Sequence, residues 1–261
     1  MLIKCPSGLS GEIRKMSGKE GKLIADRRSM KGTFLADSIL SGCFIKLEDP
    51  GPYGFSPGSL PAWSKVIGAD RAYALVQIRA LSLGDEYEFK VQCDNEGCRR
   101  MYTWSLPLSA LPLKPLPDAS AEALRAGNEH TCYVGRVTRP ANPDAGETAP
   151  VVLTTGKKVT FKLPTGADQN KYGPQLQESN DRMLLSIRMK LISIEGVHEN
   201  DLNRFLEDLD YDQFLRLRDD LDDADGGLDI DLTVNCPTCG NSQEMALPFD
   251  RDFFFPKRVK R

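Results

Sequence analysis

Two cysteine pairs, "CDNEGC" at Cys93–Cys98 and "CPTC" at Cys236–Cys239, constrain this chain more than any other feature. A zinc ion bound by thiolates takes four of them in a tetrahedron at about 2.3 Å. Each pair is therefore half a site, and 138 positions separate Cys98 from Cys236. The folded chain must bring two distant turns to one point, or leave each half-site incomplete. Pro237 stiffens the second turn and Gly240 frees the backbone after it, while Gly97 precedes the second thiol of the first turn. A redox Cys-x-x-Cys opens a helix in a βαβ setting, which the strand pattern around Cys236 does not provide. Two separate disulfides are the remaining alternative.

The segments around the pairs are alike. "GDEYEFKVQCDNEGCRRMYTWSLPL" (Gly84–Leu108) and "GLDIDLTVNCPTCGNSQEMALPF" (Gly227–Phe249) each place a Gly nine residues before the first Cys and a Leu-Pro eight residues after the second. Tyr87, Phe89 and Val91 alternate with polar residues, as do Ile230, Leu232 and Val234, which is the period of a half-buried strand. Each segment thus predicts a β-hairpin with two thiols at its tip. A helical pattern precedes both hairpins: Ala74, Ile78 and Leu81 share one face, and Phe214, Leu217 and Leu221 share another. Further upstream, "IKCPSG" (Ile3–Gly8) matches "FKLPTG" (Phe161–Gly166).

The expected architecture is α+β, with two duplicated helix-plus-hairpin (zinc-knuckle) halves, 1–115 and 151–261, joined by a Pro/Ala-rich connector at 116–150. Two more helices are expected, near Asn180–Leu191 and Asp201–Leu209, and an exposed loop between Gly51 and Trp63. Trp63 and Trp104 read as core.

The same reading assigns Cys93, Cys98, Cys236 and Cys239 to one structural zinc site between the halves. Four thiolates leave no open position for water, which a catalytic zinc requires. The remaining cysteines read as structural: Cys5 aligns with Leu163, Cys43 lies in the apolar "SILSGCFI", and Cys132 sits in "HTCYVG". His130 and His198 are the only histidines, and neither joins a nucleophile motif. The glycines of "GLSGE" and "SGKEGK" lack phosphate-loop spacing. "DDLDDADGGLDI" lacks the bidentate Glu of a calcium loop. No catalytic residue and no cofactor other than zinc is therefore expected.

Charge narrows the partners. Net charge is −3 over 261 residues, divided as +4 in residues 1–115 and −7 in the remainder. The stretch Asp201–Asp231 carries twelve acids against three bases and reads as the solvated face of helices. The terminal "KRVKR" is too short to make the basic stripe of a dedicated nucleic-acid binder. Zinc-knuckle nucleic-acid binding stays open as an alternative, on the strength of Arg99 and Arg100. No apolar run reaches membrane-spanning length, and the N-terminus lacks a secretion-signal pattern. Seven cysteines then suit metal ligation and buried thiols in a reducing cytoplasm.

The run from Leu215 to Pro256, "LRLRDDLDDADGGLDIDLTVNCPTCGNSQEMALPFDRDFFFP", resembles the C-terminal region of the baseplate hub and hub-assembly family of contractile-tailed, T-even-like bacteriophages. "GADRAYALVQIRALSLGDEYEFKVQC" (Gly68–Cys93) is similar to a stretch of related phage tail proteins. The resemblance implies a virion structural or assembly component of the tail baseplate, put together in the host bacterial cytoplasm with other tail proteins as partners. The longer Cys93–Cys98 loop departs from the family's Cys-x-x-Cys. Phe253, Phe254 and Phe255, which follow the second hairpin, either fold back on the chain's own core or anchor a neighbouring subunit.

Overall fold

Residues 1–25, 34–56, 58–135, 137–139, 141–146, 148–154, 156–179, 181–248 and 251–254 are described by a computed structural model. Short strands with one buried face open it. In β1 (Leu2–Lys4) only Ile3 is buried, in β2 (Ser10–Ile13) Gly11 and Ile13, and in β3 (Phe44–Asp49) Phe44 and Leu47. They form an antiparallel sheet in the order β1-β2-β3. Gly11 is obligatory there, because a Cβ would stand 2.2 Å from the Phe44 ring and 2.3 Å from the Lys46 carbonyl.

Between β2 and β3 run α1 (Gly18–Ala25) and α2 (Phe34–Cys43), and α2 passes into β3 without a loop. Glu20 sets the start of α1: its carboxylate accepts from the Ser17 N–H at 2.6 Å and from Arg14 at 2.8 Å.

The next helix, α3 (Gly68–Leu83), buries Ala74 and Ile78 as the periodicity requires. Its Asp70 is fully buried and accepts from the Ser7 N–H (3.0 Å), the Ser7 hydroxyl (2.5 Å) and the Tyr53 hydroxyl (2.6 Å). The stretch expected as an exposed loop between Gly51 and Trp63 has no regular structure, but Tyr53 pins it to α3 and is buried. Trp63 is core as expected, and Trp104 is half-buried against the core. The first knuckle hairpin follows as β4 (Glu86–Gln92) and β5 (Met101–Pro107), then the two-residue β6 (Leu113–Lys114).

The chain next builds a second core. It contributes α4 (Asp118–Ala126), β7 (His130–Val134), β8 (Val137–Arg139), β9 (Val151–Thr154), β10 (Lys157–Phe161), α5 (Gly166–Glu178), α6 (Arg182–Lys190), β11 (Leu191–Ile194), α7 (Leu202–Glu207) and α8 (Tyr211–Asp223). Strands β8 and β9 pair with each other, and the larger sheet is antiparallel in the order β11-β10-β7. Its core joins Val134, Val159 and Phe161 to Ile187 of α6, Leu202 and Leu206 of α7, and Leu217 and Leu221 of α8. Both helices expected near 180–191 and 201–209 are present in shortened form as α6 and α7.

The chain then returns to the first core as β12 (Gly227–Leu228), which pairs with β6, and as the second knuckle hairpin β13 (Asp231–Asn235) and β14 (Ser242–Ala246). It is followed by α9 (Arg251–Phe254). Two compact units result: Met1–Pro115 with the chain from Gly227 onward, and Leu116–Gly226.

These boundaries differ from the expected halves. Residues 116–134, read as part of a Pro/Ala-rich connector, supply α4 and β7 to the second unit, where Leu116, Ser120, His130 and Val134 are buried. The second hairpin joins the first unit because Val234 and Leu247 enter the core made by Tyr87, Phe89 and Val91. Each unit does contain a three-stranded antiparallel sheet in which two helices join the middle strand to an edge strand, the second helix running directly into it. By that measure β10 corresponds to β2, not to β1 as the "IKCPSG"/"FKLPTG" match has it. Among the described residues no helix is long and apolar enough to cross a membrane.

Candidate metal centre

The two hairpins of the first unit carry the four thiols. Strict alternation in β4 buries Tyr87, Phe89 and Val91 and turns the charged residues between them outward. In β13 only Val234 is fully buried, while Leu232, and Ile230 just before the strand, are partly buried against the same core. Register then fixes the tips. Gln92 faces Met101 in one hairpin and Asn235 faces Ser242 in the other, so each turn starts on its first cysteine. The Cys93 N–H donates to the Arg100 carbonyl at 2.9 Å, and the Cys236 N–H donates to the Asn241 carbonyl at 2.8 Å. The turns are therefore built alike, despite the two extra residues in the first.

Left-handed backbone follows the second thiol in both turns. Gly240 (φ 72°) takes it without strain, whereas in the first turn Arg99 (φ 49°) occupies the equivalent position. Gly97, the sequence-level candidate for backbone freedom, does not have positive φ.

The four sulfurs all lie within 4.8 Å of one another. Cys93 Sγ is 3.6 Å from Cys239 Sγ, and Cys98 Sγ is 3.9 Å from Cys236 Sγ, so each close contact crosses between the hairpins. A disulfide needs sulfurs at about 2.05 Å, and all four thiols are free. A tetrahedron with metal–sulfur bonds of about 2.3 Å has edges of about 3.8 Å. The cluster thus fits one metal ion in a shell of four sulfurs. Cys93 and Cys236 are buried, Cys98 is half-buried and Cys239 exposed, so the centre sits at the tips with its apolar support below.

Polar side chains also join the tips. Gln243 accepts from the Asp94 N–H at 3.0 Å and donates to the Gln92 carbonyl at 3.1 Å, and Asn241 donates to the Asp94 carboxylate at 2.5 Å. The sequence reading missed this clasp; its only trace is the pair of amides, Asn241 and Gln243, that follow "CG" in "CGNSQ".

The thiols differ in acidity. N–H groups of Cys239 and Thr238 pull Cys236 down to about 6, while burial pushes Cys93 up to about 12. Burial, and then the Cys236 and Cys93 sulfurs, also raise the pKa of Tyr102, whose buried hydroxyl has no partner among the described residues.

The other sequence-level candidates are distributed as follows. Cys5 and Cys43 are buried, and Cys132 packs half-buried against the second core. Phe253 is fully buried, its ring 4.9 Å from that of Tyr87 and held beneath the Arg79 guanidinium. Of the two alternatives for the aromatic run, Phe253 takes the fold-back onto the chain's own core, because Tyr87, Arg79 and Phe254 enclose it. Phe254 is partly buried in the same cluster, and Phe255 lies outside the described residues.

A family model described as T4 bacteriophage base plate protein matches residues 62–255, about three quarters of the chain and both knuckle hairpins. No curated protein and no solved structure matches.

Proposed function

This chain belongs to the T4 bacteriophage base plate protein family, and we propose that it is a non-enzymatic baseplate subunit whose two knuckle hairpins are locked together by one structural zinc ion. Membership implies a place in the virion tail, with other phage tail proteins as partners. The observation that carries the zinc reading is the pair of cross-hairpin sulfur distances, 3.6 and 3.9 Å, on either side of the tetrahedral edge. Soft thiolates favour zinc or iron over magnesium or calcium. Zinc would supply charge neutralisation and a cross-link between segments 138 residues apart, coupling metal binding to folding.

Metal analysis of the protein purified under reducing conditions is the test. About one zinc per chain is expected for a single closed thiolate shell. Absence of metal, or the visible absorption of an iron–thiolate centre in its place, would sink the zinc assignment.

Within the baseplate, the resemblance over Leu215–Pro256 supports a hub subunit or hub-assembly factor put together in the host cytoplasm. The shared order of sheet and helices in the two units supports an origin by duplication. Mass spectrometry of intact particles separates a resident subunit, present in them, from a transient assembly factor, absent from them. Nucleic-acid binding is disfavoured by the second knuckle, which has no adjacent Lys or Arg, and by the Glu96 carboxylate 4.0 Å from Arg99 on the first. Salt-sensitive DNA or RNA binding would revive it.

A further inference from the structure

The first knuckle hairpin has an outer edge whose backbone is unused. Its Cys93 N–H donates to the Arg100 carbonyl at 2.9 Å, and its Leu108 N–H donates to the Asp85 carbonyl at 3.0 Å. Between these bonds the register runs without a shift from Gln92–Met101 to Glu86–Pro107. The ladder therefore bonds Tyr87, Phe89 and Val91 of β4 to Leu106, Trp104 and Tyr102 of β5. Met101, Thr103 and Ser105 turn their N–H and C=O groups the other way, where they meet no partner among the described residues. Their side chains are exposed as well, Met101 at 59%.

Sheets blunt such edges with charge, brevity or irregular register, and other edge strands of this chain do so. β1 has three residues and ends on Lys4. β3 carries Lys46 and Glu48 and shifts register twice against β2, and β14 carries Glu244. β11 has four residues and a register shift against β10, while β7 has five and lies against α8. β5 has none of these devices. It is seven residues long, "MYTWSLP", uncharged and in unbroken register, with its proline at the last position.

Charge at the two ends of the strand selects what can pair with it. Arg99 and Arg100 immediately precede β5, while Glu86 faces Pro107 at its far end with Asp85 beside it. Among the described residues Arg100 has no ion-pair partner, and Arg99 has only Glu96, 4.0 Å away and 93% exposed. A strand laid antiparallel along this edge must bring acid to the basic end and base to the acidic end. A second β5 does both. With Thr103 opposite Thr103, Met101 faces Ser105, and each copy's arginines lie one strand across from the other's Glu86. Each of these facing pairs exchanges two backbone hydrogen bonds, and no like charges stand opposite each other. A parallel alignment would set arginine beside arginine.

We propose that β5 is a self-association surface, on which a second copy of this chain pairs β5 to β5, antiparallel about Thr103, so that the two hairpins form one continuous sheet. The proposal rests on the hairpin alone and needs neither the zinc nor the baseplate reading. A single strand edge falls short of the roughly 1,600 Å² of a standard interface, so association is weak, with a dissociation constant on the order of 10 µM.

Sedimentation equilibrium of the full-length protein, purified under reducing conditions, tests this between about 1 and about 200 µM. A reversible monomer–dimer equilibrium is expected. Hydrogen exchange at the two ends of that range locates the contact. The Met101, Thr103 and Ser105 amides should exchange about fivefold more slowly at the high concentration, because only the dimer gives them acceptors. Thr103→Lys sets two ammonium groups together on the axis and should weaken the dimer about tenfold or more. Thr103 is exposed, so the dilute variant should keep the wild-type thermal midpoint. Arg99→Glu with Arg100→Glu should also weaken the dimer, and Glu86→Lys added to that pair should recover most of the loss. A protein that stays monomeric at the top of the range overturns the proposal. So does a dimer whose three amides exchange at the monomer's rate, or one that Thr103→Lys leaves intact. Slow exchange of the three amides in a monomer at every concentration would show that the same chain covers its own edge, and overturns it equally.

Discussion

Glu20 sits in the first turn of α1, almost buried, with the Ser17 N–H, the Ser17 hydroxyl and the Arg14 guanidinium all donating to it. The guanidinium chiefly, together with the Ser17 donors, brings its pKa from 4.5 down to about 2, against the opposing effect of burial. A depressed carboxylate pKa contributes stability that is whole above the unfolded value and fades as pH falls from 4.5 towards 2, by about 2–3 kcal/mol in all. Denaturant melts of wild type and Glu20→Gln should therefore differ widely at pH 7, draw together as pH falls below 4.5, and converge only below about pH 2. A gap that stays constant over that range would mean the charge contributes nothing. Arg99 makes the complementary case. It holds φ 49° where the other knuckle uses Gly240. Arg99→Gly should gain about 0.5 kcal/mol and Gly240→Ala lose about 1 kcal/mol, because only glycine adopts that conformation without cost. Both numbers come from denaturant melts of the metal-loaded protein, and a loss on Arg99→Gly would show that its side chain matters more than its backbone. Gly240 was legible from the sequence. Arg99 was not, because the tip geometry imposes its conformation and no residue preference announces it.

The knuckle hairpins are the elements the sequence displays best. Alternation of Tyr87, Phe89 and Val91 reports one buried face, and the paired offsets report two equivalent tips. What alternation cannot report is which distant strand completes the core, so the amide clasp of Gln243 and Asn241 on Asp94 and Gln92 stayed hidden. That clasp and the sulfur cluster make the hairpins one energetic unit. Cys98→Ser and Cys239→Ser should lower the thermal midpoint equally, although Cys98 is half-buried and Cys239 exposed, since loss of any one thiolate opens the shell. A silent Cys98→Ser would show that the first knuckle does not share the metal. Gln243→Ala removes two hydrogen bonds at a partly exposed site and should cost about 1 kcal/mol, well short of either cysteine variant. Differential scanning fluorimetry of the three variants side by side would rank them.

At the scale of the molecule, composition misled where topology decided. The Pro- and Ala-rich stretch at 116–150 looks like a connector, yet Asp118–Ala126 is helical and His130–Val134 pairs with β10 over five positions. Helix-and-hairpin order was legible because it is local. The division of the chain into Met1–Pro115 with the segment from Gly227, and Leu116–Gly226, was not, because it depends on strand pairings such as β6 with β12, which lie more than 100 residues apart. A discontinuous unit has a particular weakness. Its two segments are held by the shared core of Tyr87, Val234 and Leu247, the short β6–β12 pair, and the four-cysteine cluster at the hairpin tips with the metal proposed for it, whereas the second unit is built from one continuous stretch with its own core of Val159, Phe161, Leu217 and Leu221. Removal of the metal should act where the chain is discontinuous. In hydrogen exchange on the full-length protein, a chelator should raise the exchange of amides in β4, β5, β13 and β14, and leave the slow amides of β7 and β10 unchanged. Loss of protection in both units together would mean that they unfold as one cooperative body, and that the metal holds the whole chain rather than the joint within its first unit.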